Sequence, residues 1–234
     1  MAVTTTSHIA IELPHAVHVL FTTRRGGVSQ PPFDSLNLGR WTEDDPAAIE
    51  ENRRRALALT GASRFAYGRQ VHGATVLVDS AEVADADGQL TTERGVATMA
   101  LTADCMPIAL AGPGVAGMVH VGWRGLAGGV IEEAARALRE ATASAGDFAA
   151  AIGPCARGCC YEVGDEVRAA LGLEPAGGPA RIDLPAIARE RLAAAGIARV
   201  EDTGLCTMCS DRSLFYSHRR DGGRTGRQAG IAWR

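Results

Sequence analysis

The sequence contains no lysine, and all 24 of its basic residues are arginine. This absence excludes several mechanisms, because a Schiff-base enzyme, a Walker-A nucleotide-binding loop and a protein kinase each require a lysine side chain. A GC-rich genome is the simplest origin of the bias, and the abundance of alanine and glycine agrees with it.

A strong net charge and long apolar runs are also absent. The formal net charge is −3, which gives no electrostatic reason to expect a nucleic acid or an anionic membrane as partner. The first twenty residues have neither a basic region nor an uninterrupted apolar core, so they do not have the pattern of a signal peptide. We therefore expect a cytoplasmic protein.

Cysteine is present at six positions, and in the cytosol we expect thiols or metal ligands rather than disulfides. The spacing Cys206-x-x-Cys209 is a weak signal alone, because a structural zinc site usually needs a second pair of ligands. Cys155 and Cys159-Cys160 could supply that pair if the loops meet. Unpaired reduced thiols are the default expectation. The six cysteines are Cys105, Cys155, Cys159, Cys160, Cys206 and Cys209.

Short apolar runs bounded by glycine, proline and polar residues predict strands. Residues 9–23 read as strand, turn and strand, with Val17–Thr23 the clearer strand. The other predicted strands are Phe65–His72, Thr75–Asp79, Val96–Thr102, Ile108–Ala111, Val115–Val121, Phe148–Ile152, Ile197–Asp202, Leu214–Ser217 and Gln228–Trp233.

Four helices are predicted between these strands. Asp45 as N-cap and Pro46 at the first helical position predict a helix over Ala47–Gly61, with the charged run Asn52–Arg55 on its solvated face. Ala81–Glu93 is expected to be a loop or a short helix. Strands of mixed connection with few helices argue for an α+β or mixed α/β protein, with residues 1–234 as one domain. The other three helices are Leu126–Thr142, Glu162–Leu171 and Leu184–Ala195.

The stretch Leu101–Gly125 contains the most informative arrangement. It reads as an apolar strand ending at Cys105, a return strand ending at His120, and a tight turn over Gly122–Gly125. His72 closes another strand-like run. A thiol and two imidazoles from three strand ends predict a zinc site with an open fourth position, which would act as a Lewis acid or a source of hydroxide. A metal-free Cys–His pair for acyl or amide transfer is the alternative.

Two polar loops are candidates for substrate binding. Ser35–Gly39 could bind a ligand or simply form an Asx turn around Asn37. The loop over Phe215–Arg227 combines several arginines with glycine, which suits recognition of phosphate or carboxylate; the alternative is a solvated surface loop.

Seven motifs in order resemble those of one family, the bacterial YfiH/YlmD-like proteins. These proteins were first labelled polyphenol oxidases with a laccase domain, and they are related to a human laccase-domain purine enzyme. The resemblance covers about Phe21 to Trp233. The motifs are FTTRRGGVS, SLNLGRWTEDDPAAIEENR, RQVHG, LTADCMPIAL, HVGWRGLAGGV, IGPCARGCCYEVGDEV and SHRRDGGRTGR.

The resemblance implies a fold, a metal and an activity. The implied fold is a single α+β domain of two mixed β-sheets with outer helices in α/β/β/α layers, similar to bacterial toxin deamidases that use a Cys–His pair. The implied metal is zinc held by His72, Cys105 and His120. The implied activity is phosphorolysis of adenosine, inosine and methylthioadenosine together with adenosine deamination, a transferase and a hydrolase reaction. Some relatives are instead described as editing factors that remove a wrongly added serine from the UDP-muramoyl precursor of peptidoglycan.

The sequence departs from the family motifs at several positions. Asp87–Thr91 reads DGQLT where many relatives have DALVT, His218 replaces a tyrosine, and Cys155, Cys206 and Cys209 lie outside the pattern. The older oxidase label conflicts with the small number of histidines available as copper ligands. Six histidines are too few for a multicopper centre, and no blue-copper set of two histidines, a cysteine and an axial methionine has a recognisable spacing.

For phosphorolysis and deamination, the resemblance leads to further residue assignments. Arg24, Arg124 or Arg219 and its loop would hold phosphate, and Asn37 could reach the purine or the ribose. Asp104 would act as an acid or base, or, as we prefer, would orient a ligand histidine. The same site could instead act as a Cys or zinc amidase on the muramoyl precursor, or serve only as a metal-binding scaffold. The sequence does not reveal the oligomeric state.

Overall fold

Fourteen strands and five helices occur within the part of the chain that the computed structural model describes, residues 3–4, 7–142 and 146–234. In chain order the strands are β1 (Val3–Thr4), β2 (His8–Leu13), β3 (Val17–Thr22), β4 (Arg64–Ala66), β5 (Val76–Val78), β6 (Gly88–Thr91), β7 (Val96–Thr102), β8 (Met106–Gly112), β9 (Val115–Val121), β10 (Ala149–Ile152), β11 (Glu162–Val163), β12 (Ala180–Arg181), β13 (Arg199–Asp202) and β14 (Gln228–Trp233). The helices are α1 (Pro46–Ala58), α2 (Trp123–Ala127), α3 (Val130–Ala141), α4 (Asp165–Ala170) and α5 (Leu184–Ala194).

Twelve of the strands form two six-stranded sheets. The first sheet has the order β1-β2-β3-β14-β7-β4, and the second has the order β13-β10-β8-β9-β6-β5. Both sheets are mixed: β4 runs parallel to β7 in the first, and β13 and β5 run parallel to their neighbours in the second, while the other pairs are antiparallel. The strands β11 and β12 form a separate two-stranded antiparallel sheet.

The central strands of the second sheet, β10, β8 and β9, are buried on both faces, which explains why they read as unbroken apolar runs. In β8, Met106, Ile108 and Leu110 pack in the helix-facing core, whereas Ala109 and Ala111 face the first sheet. This alternation follows from the two-residue period of a strand. Small alanine side chains on the second sheet therefore oppose larger ones on the first, among them Ile11, Val19 and Phe21.

Helices cover the outer face of each sheet. Ala56 of α1 packs with Leu20, Met99 and Ile231 of the first sheet. The helices α3 and α5 pack against the second sheet through side chains such as Leu138 and Leu192. The predicted α+β fold with α/β/β/α layers is confirmed.

Helix α1 starts as predicted, with the Asp45 carboxylate accepting a hydrogen bond from Ala47 N at 3.0 Å. The prediction of a solvated face over Asn52–Arg55 is wrong for its first two residues, because Asn52 and Arg53 are buried. The Asn52 amide donates to the Asn37 carbonyl at 2.9 Å and accepts from Val28 N at 2.9 Å. The loop beneath α1 has backbone groups that need partners, so a polar helix face is buried there.

Three predicted elements differ from those in the structure. The predicted helix Leu126–Thr142 is interrupted at Gly128 and at Gly129, whose φ of 85° is left-handed and ends a helical run. The predicted tight turn at Gly122–Gly125 is the start of the short helix α2. Glu162–Leu171 likewise opens with β11, and its helix starts only at Asp165.

Ala81–Glu93 contains a strand, β6, where we expected a loop or a short helix. Its sequence GQLT has one large apolar residue, so periodicity gave no signal, yet all four residues are buried between β5 and β9. A Cβ at Gly88 would lie 2.8 Å from Val76 Cγ2, so only glycine permits this close pairing.

Leu214–Ser217 was expected to be a strand, and that prediction is wrong. The segment is an irregular buried turn. The side-chain amide of Gln228 accepts a hydrogen bond from Tyr216 N at 2.8 Å and donates one to Tyr216 O at 3.1 Å. These bonds replace the pairing that a neighbouring strand would supply.

Candidate metal centre

Cys105 and His120 are neighbours because β8 and β9 are antiparallel. Cys105 directly precedes the first residue of β8, and His120 lies one residue before the end of β9, opposite Pro107. The third side chain, His72, comes from the loop between β4 and β5. Two strand ends and this loop thus bring together the thiol and the two imidazoles that the sequence predicted. The predicted strand over Phe65–His72 is wrong beyond Ala66, where β4 ends, so His72 does not lie at a strand end.

The loop with His72 is held to the first sheet by Gln70. The Gln70 side chain donates to Leu101 O at 2.7 Å and accepts from Leu101 N at 2.8 Å. His72 itself has a φ of 60°, a left-handed conformation that few residues other than glycine adopt and that the surrounding contacts must maintain. The two hydrogen bonds between Gln70 and Leu101 therefore place the His72 imidazole at the end of β7, beside Cys105.

Asp87, just before β6, connects two of these groups. Its carboxylate accepts hydrogen bonds from the backbone N–H groups of Val71, His72 and Gly73 at 2.8–3.2 Å. It also contacts His120 Nδ1 at 2.7 Å. A carboxylate on Nδ1 fixes the tautomer and leaves Nε2 free to bind a metal, the usual arrangement for a ligand histidine.

The three side chains are close enough to share one metal ion. Their donor atoms all lie within 4.8 Å of one another. Cys105 Sγ is 3.8 Å from His72 Nε2, and the two imidazole rings meet edge to face with centroids 4.9 Å apart. Ligand atoms in a tetrahedral zinc site are separated by roughly 3.3–3.8 Å, so the donor set fits zinc after small movements. His72 and Cys105 line a cavity of about 520 Å³, into which a fourth position would open.

Without a metal, the site stabilises a thiolate next to an imidazolium. Burial opposes ionisation of Cys105, but the charge and hydrogen bonds of His120 and His72 outweigh it and lower the pKa of the thiol to about 6. Burial also opposes the charge on His120, while Cys105 and Asp87 together raise the pKa of its imidazole to about 9. Burial of Asp87 is outweighed by its hydrogen bonds, chiefly from His120, so its pKa is lowered.

Asp104 does not orient a ligand histidine, contrary to the role we preferred from the sequence. Its carboxylate accepts from Thr207 Oγ1 at 2.7 Å and from Arg219 N at 2.8 Å. Its φ of 92° turns the residue away from the strand direction of its neighbours. Asp87 makes the histidine contact instead, and Asp104 lines the cavity beside Cys105.

The four residues expected to bind substrate divide into two groups. Arg124 and Arg219 line the cavity, and neither has a carboxylate partner within the described residues. Arg24 does not line the cavity, and its guanidinium is paired with Asp34 at 2.9 Å. Asn37 is fully buried and outside the cavity.

The Asn37 side chain is a structural element. Its oxygen accepts from Gly39 N at 3.0 Å and Arg227 N at 2.8 Å, and its amide donates to Thr42 and Asp44 at 2.9 Å each. The bond to Gly39, two residues on, is an Asx turn, so this alternative for the Ser35–Gly39 loop is confirmed.

The cavity also contains Arg227, from the arginine-rich loop that the sequence marked for anion binding, and three aromatic residues that were not predicted to bind substrate. Arg227 lines it, and burial lowers the pKa of its guanidinium. Trp41, which is 58% exposed, lines it together with Trp123 and Tyr161. Arg227 lies in the loop that was predicted to bind an anion, whereas nothing in the sequence around Trp41 distinguishes it from a surface tryptophan.

A second group of possible metal ligands consists of four cysteines that do not line the cavity. We call it the four-cysteine cluster, and its members are Cys159, Cys160, Cys206 and Cys209. All four sulfur atoms lie within 4.8 Å of one another. Cys155 is buried nearby but is not a member. The two loops therefore meet, which we had not taken as the default.

No helix in the described part of the chain combines the length and the apolar character needed to cross a membrane.

Comparison with known proteins gives consistent matches along nearly the whole chain. It is 42% identical to a purine nucleoside phosphorylase of Pseudomonas aeruginosa over 235 aligned residues, covering 94% of each protein. The crystal structure of the hypothetical protein YfiH of Bacillus licheniformis superposes with a TM-score of 0.90 at 30% identity, covering 98% of this chain and 97% of that one. YlmD of Geobacillus stearothermophilus superposes with a TM-score of 0.89 at 32% identity, covering 97% and 96%.

These similarities confirm the expected resemblance to the YfiH/YlmD-like proteins. Residues 18–234 also match the family described as multi-copper polyphenol oxidoreductase laccase. The chain belongs to this laccase-like YfiH family.

Proposed function

We propose that this protein is a zinc-dependent purine nucleoside phosphorylase that acts on adenosine, inosine and methylthioadenosine and also deaminates adenosine. The observation that supports this function is the convergence of two imidazoles and one thiol at a cavity of nucleoside size. Binding sites for small molecules typically enclose roughly 300–1,000 Å³, and this cavity encloses about 520 Å³. Relatives about 40% identical over nearly their full length are named purine nucleoside phosphorylases.

His72, Cys105 and His120 would hold the metal. Zinc prefers nitrogen and sulfur ligands, and three protein ligands with an open fourth position are typical of catalytic zinc. Bound there, zinc would supply Lewis-acid polarisation of a substrate atom or of water. The Asp87 carboxylate would keep His120 Nε2 aimed at the ion, since it holds Nδ1 at 2.7 Å.

Arginine side chains would hold inorganic phosphate. In phosphorolysis the bond between C1′ and the base nitrogen breaks, phosphate oxygen takes the ribosyl group, and the base leaves with a proton. Arg124, Arg219 and Arg227 line the cavity without a carboxylate partner among the described residues. Guanidinium groups bind phosphate with two parallel hydrogen bonds. Here their positive charge would attract the incoming phosphate dianion.

Aromatic side chains would bind the purine. Trp41 lines the cavity although it is 58% exposed, and Trp123 and Tyr161 line it as well. A base stacked on an aromatic side chain gains roughly 1–3 kcal/mol. Asp104, which also lines the cavity, remains our candidate for proton transfer to the departing base or amine.

The test is an assay of purified, metal-quantified protein with adenosine, with and without phosphate. We expect phosphate-dependent release of adenine and ribose 1-phosphate, and slower release of inosine and ammonia. Cys105→Ala should lose both activities and its site's zinc. Arg124→Gln should raise the KM for phosphate about tenfold, whereas the matched control Arg24→Gln, whose guanidinium is bound to Asp34 outside the cavity, should not. Equal release of base without phosphate would refute phosphorolysis.

A Cys–His amidase acting on a serine-containing muramoyl precursor is the second candidate. The lowered pKa of Cys105, about 6, favours it, because a thiolate is the nucleophile that an amidase needs. The precursor would extend far outside a cavity of this size. Release of free serine from the precursor by metal-free protein, with no reaction of adenosine, would support this function and contradict the first.

A further inference from the structure

The four-cysteine cluster is formed by two loops that are bonded to each other through their backbones. Cys155 and Cys206 are paired as an isolated parallel bridge, in which Cys155 N donates to Leu205 O at 3.3 Å and Thr207 N to Cys155 O at 3.0 Å. The sulfur atoms thus meet because the main chain is held in register on both sides. Accidental contact between flexible side chains would not require such pairing.

Local turns aim both cysteines of each pair at the same point. Cys160 N and Tyr161 N both donate to Arg157 O at 2.8 Å, and Ser210 N donates to Cys206 O at 3.0 Å. Neighbouring side chains on an extended chain would point to opposite sides. In the Cys206-x-x-Cys209 turn the backbone N–H groups of Met208 and Cys209 are directed at the Cys206 sulfur, where they stabilise a thiolate.

The spacing of the sulfur atoms fits a tetrahedral metal site. Four sulfur atoms, each about 2.3 Å from one zinc ion, are about 3.8 Å apart. In the structure all four lie within 4.8 Å of one another, and Cys159 and Cys209 are separated by 3.5 Å. Four thiolates complete the coordination of zinc, so this site, unlike the candidate metal centre, would have no open position and would be structural.

We infer that the four-cysteine cluster is a second zinc site, which locks the loop over 153–160 to the loop over 203–210. Its position links it to the cavity. Thr207, inside the Cys206-x-x-Cys209 turn, donates to Asp104, the residue before Cys105, at 2.7 Å. Ala156 N donates to Asp104 O at 2.8 Å from the other loop. A metal that joins these loops would therefore hold the Asp104–Cys105 segment in place.

The experiment is a zinc count by mass spectrometry on protein purified without chelator. Wild-type protein should contain two zinc ions per chain, and Cys105→Ala should retain one. The double variant Cys159→Ser/Cys209→Ser should lose one relative to wild type. Cys155→Ala is the matched control, because this thiol lies in the same loop but outside the cluster, and it should have the wild-type count. An unchanged zinc count in the double variant would overturn the inference.

Cobalt provides a readout that does not depend on activity. Cobalt-loaded Cys105→Ala should retain a strong sulfur-to-cobalt charge-transfer band, which Cys159→Ser/Cys209→Ser introduced into the same background should abolish. If that variant fails to fold, the zinc count of Cys105→Ala decides alone: one ion supports the inference, and none overturns it. Fewer than six reactive thiols in unfolded, metal-free protein without reductant would indicate a disulfide and would also overturn it. Failure of the proposed phosphorylase function would leave these counts unchanged.

Discussion

Replacing Asp87 by asparagine should weaken both the fold and the metal site, because one carboxylate supports both. Asp87 is 2% exposed and accepts four hydrogen bonds, three from the backbone of Val71–Gly73 and one from His120. Asparagine has the same shape but only one acceptor oxygen, and its amide group would point at donors. At least two of the four donors would lose their partner.

The expected magnitude follows from these lost bonds. A hydrogen bond to a charged group contributes about 1.5–3 kcal/mol, so the free energy of unfolding should fall by about 3–5 kcal/mol. This is less than the total stability of most domains, about 5–15 kcal/mol, so the variant should still fold. Loss of the contact that orients His120 should also weaken zinc binding about 10–100-fold, which corresponds to about 1.4–2.7 kcal/mol.

The effect on stability should depend on pH in a defined direction. The folded-state pKa of Asp87 is lowered, so its contribution is fully present above the unfolded pKa of about 3.9. It is lost as the pH falls through the lower folded value. The difference in stability between wild type and Asp87→Asn should therefore shrink below about pH 4. In metal-free protein it should also shrink as the pH rises from about 6.5 through the raised pKa of His120, about 9, because Asp87 helps to raise that pKa.

Urea unfolding at several pH values measures the stability, and competition with a chromogenic chelator measures zinc affinity. Asp85→Asn is the matched control, since Asp85 is an exposed carboxylate two residues away that pairs only with Arg69 among its described contacts. This control should change stability by less than about 1 kcal/mol and leave zinc affinity unchanged. Wild-type zinc affinity and stability in Asp87→Asn would refute the role assigned to Asp87.

Three further predictions concern the same region. A Cβ in Gly122→Ala would lie 2.8 Å from His72 Cδ2, so this variant should bind zinc at least tenfold more weakly. Its control is Gly178→Ala, where a Cβ would have nothing within 4 Å and zinc binding should be normal. Competition with a chelator compares the zinc affinities of the two variants. Asn37→Ala leaves buried backbone donors unpaired and should cost about 2–5 kcal/mol in urea unfolding, with the zinc content unchanged. In metal-free protein, alkylation of Cys105 followed by mass spectrometry should have its midpoint near pH 6, because the lowered pKa keeps the thiolate until the pH falls through that value; a midpoint near 8.5 would contradict it.

Two of the three central residues, Cys105 and His120, could be predicted because their positions follow from local sequence. The short Gly112–Gly114 connection makes β8 and β9 an antiparallel pair, so the start of one strand and the end of the other had to meet, and with them Cys105 and His120. His72 stands next to a glycine, but the predicted strand that it was expected to close ends at Ala66, and only the family resemblance related this segment to the other two strands.

The support of the metal site could not be predicted, because it depends on contacts distant in sequence. Asp104 was preferred as the partner of a ligand histidine since it adjoins Cys105, but its side chain is bound to Thr207, 103 residues away. Asp87 reaches His120 through the pairing of β6 with β9, and β6 itself gave no periodic signal. Asn37 shows the same limit, because a polar side chain reads identically whether it binds a substrate or satisfies buried backbone groups.

The arrangement of ligands also bears on the family's description as a multicopper oxidoreductase. Among the described residues, two groups could hold a metal, and neither has more than two imidazoles. A blue-copper site shares the two-histidine, one-cysteine set but adds a weak axial ligand, usually methionine, and no methionine lines the described cavity. The cavity beside this group is instead lined by arginine and tryptophan side chains, which suit an anion and an aromatic ring. A metal held by His72, Cys105 and His120 would therefore act on a bound substrate as a Lewis acid rather than as an electron carrier, in agreement with the proposed function. Of the remaining histidines, His8 contacts Ser7, His15 contacts Asp147 and His18 contacts Glu12. His218 lines the cavity outside the metal group.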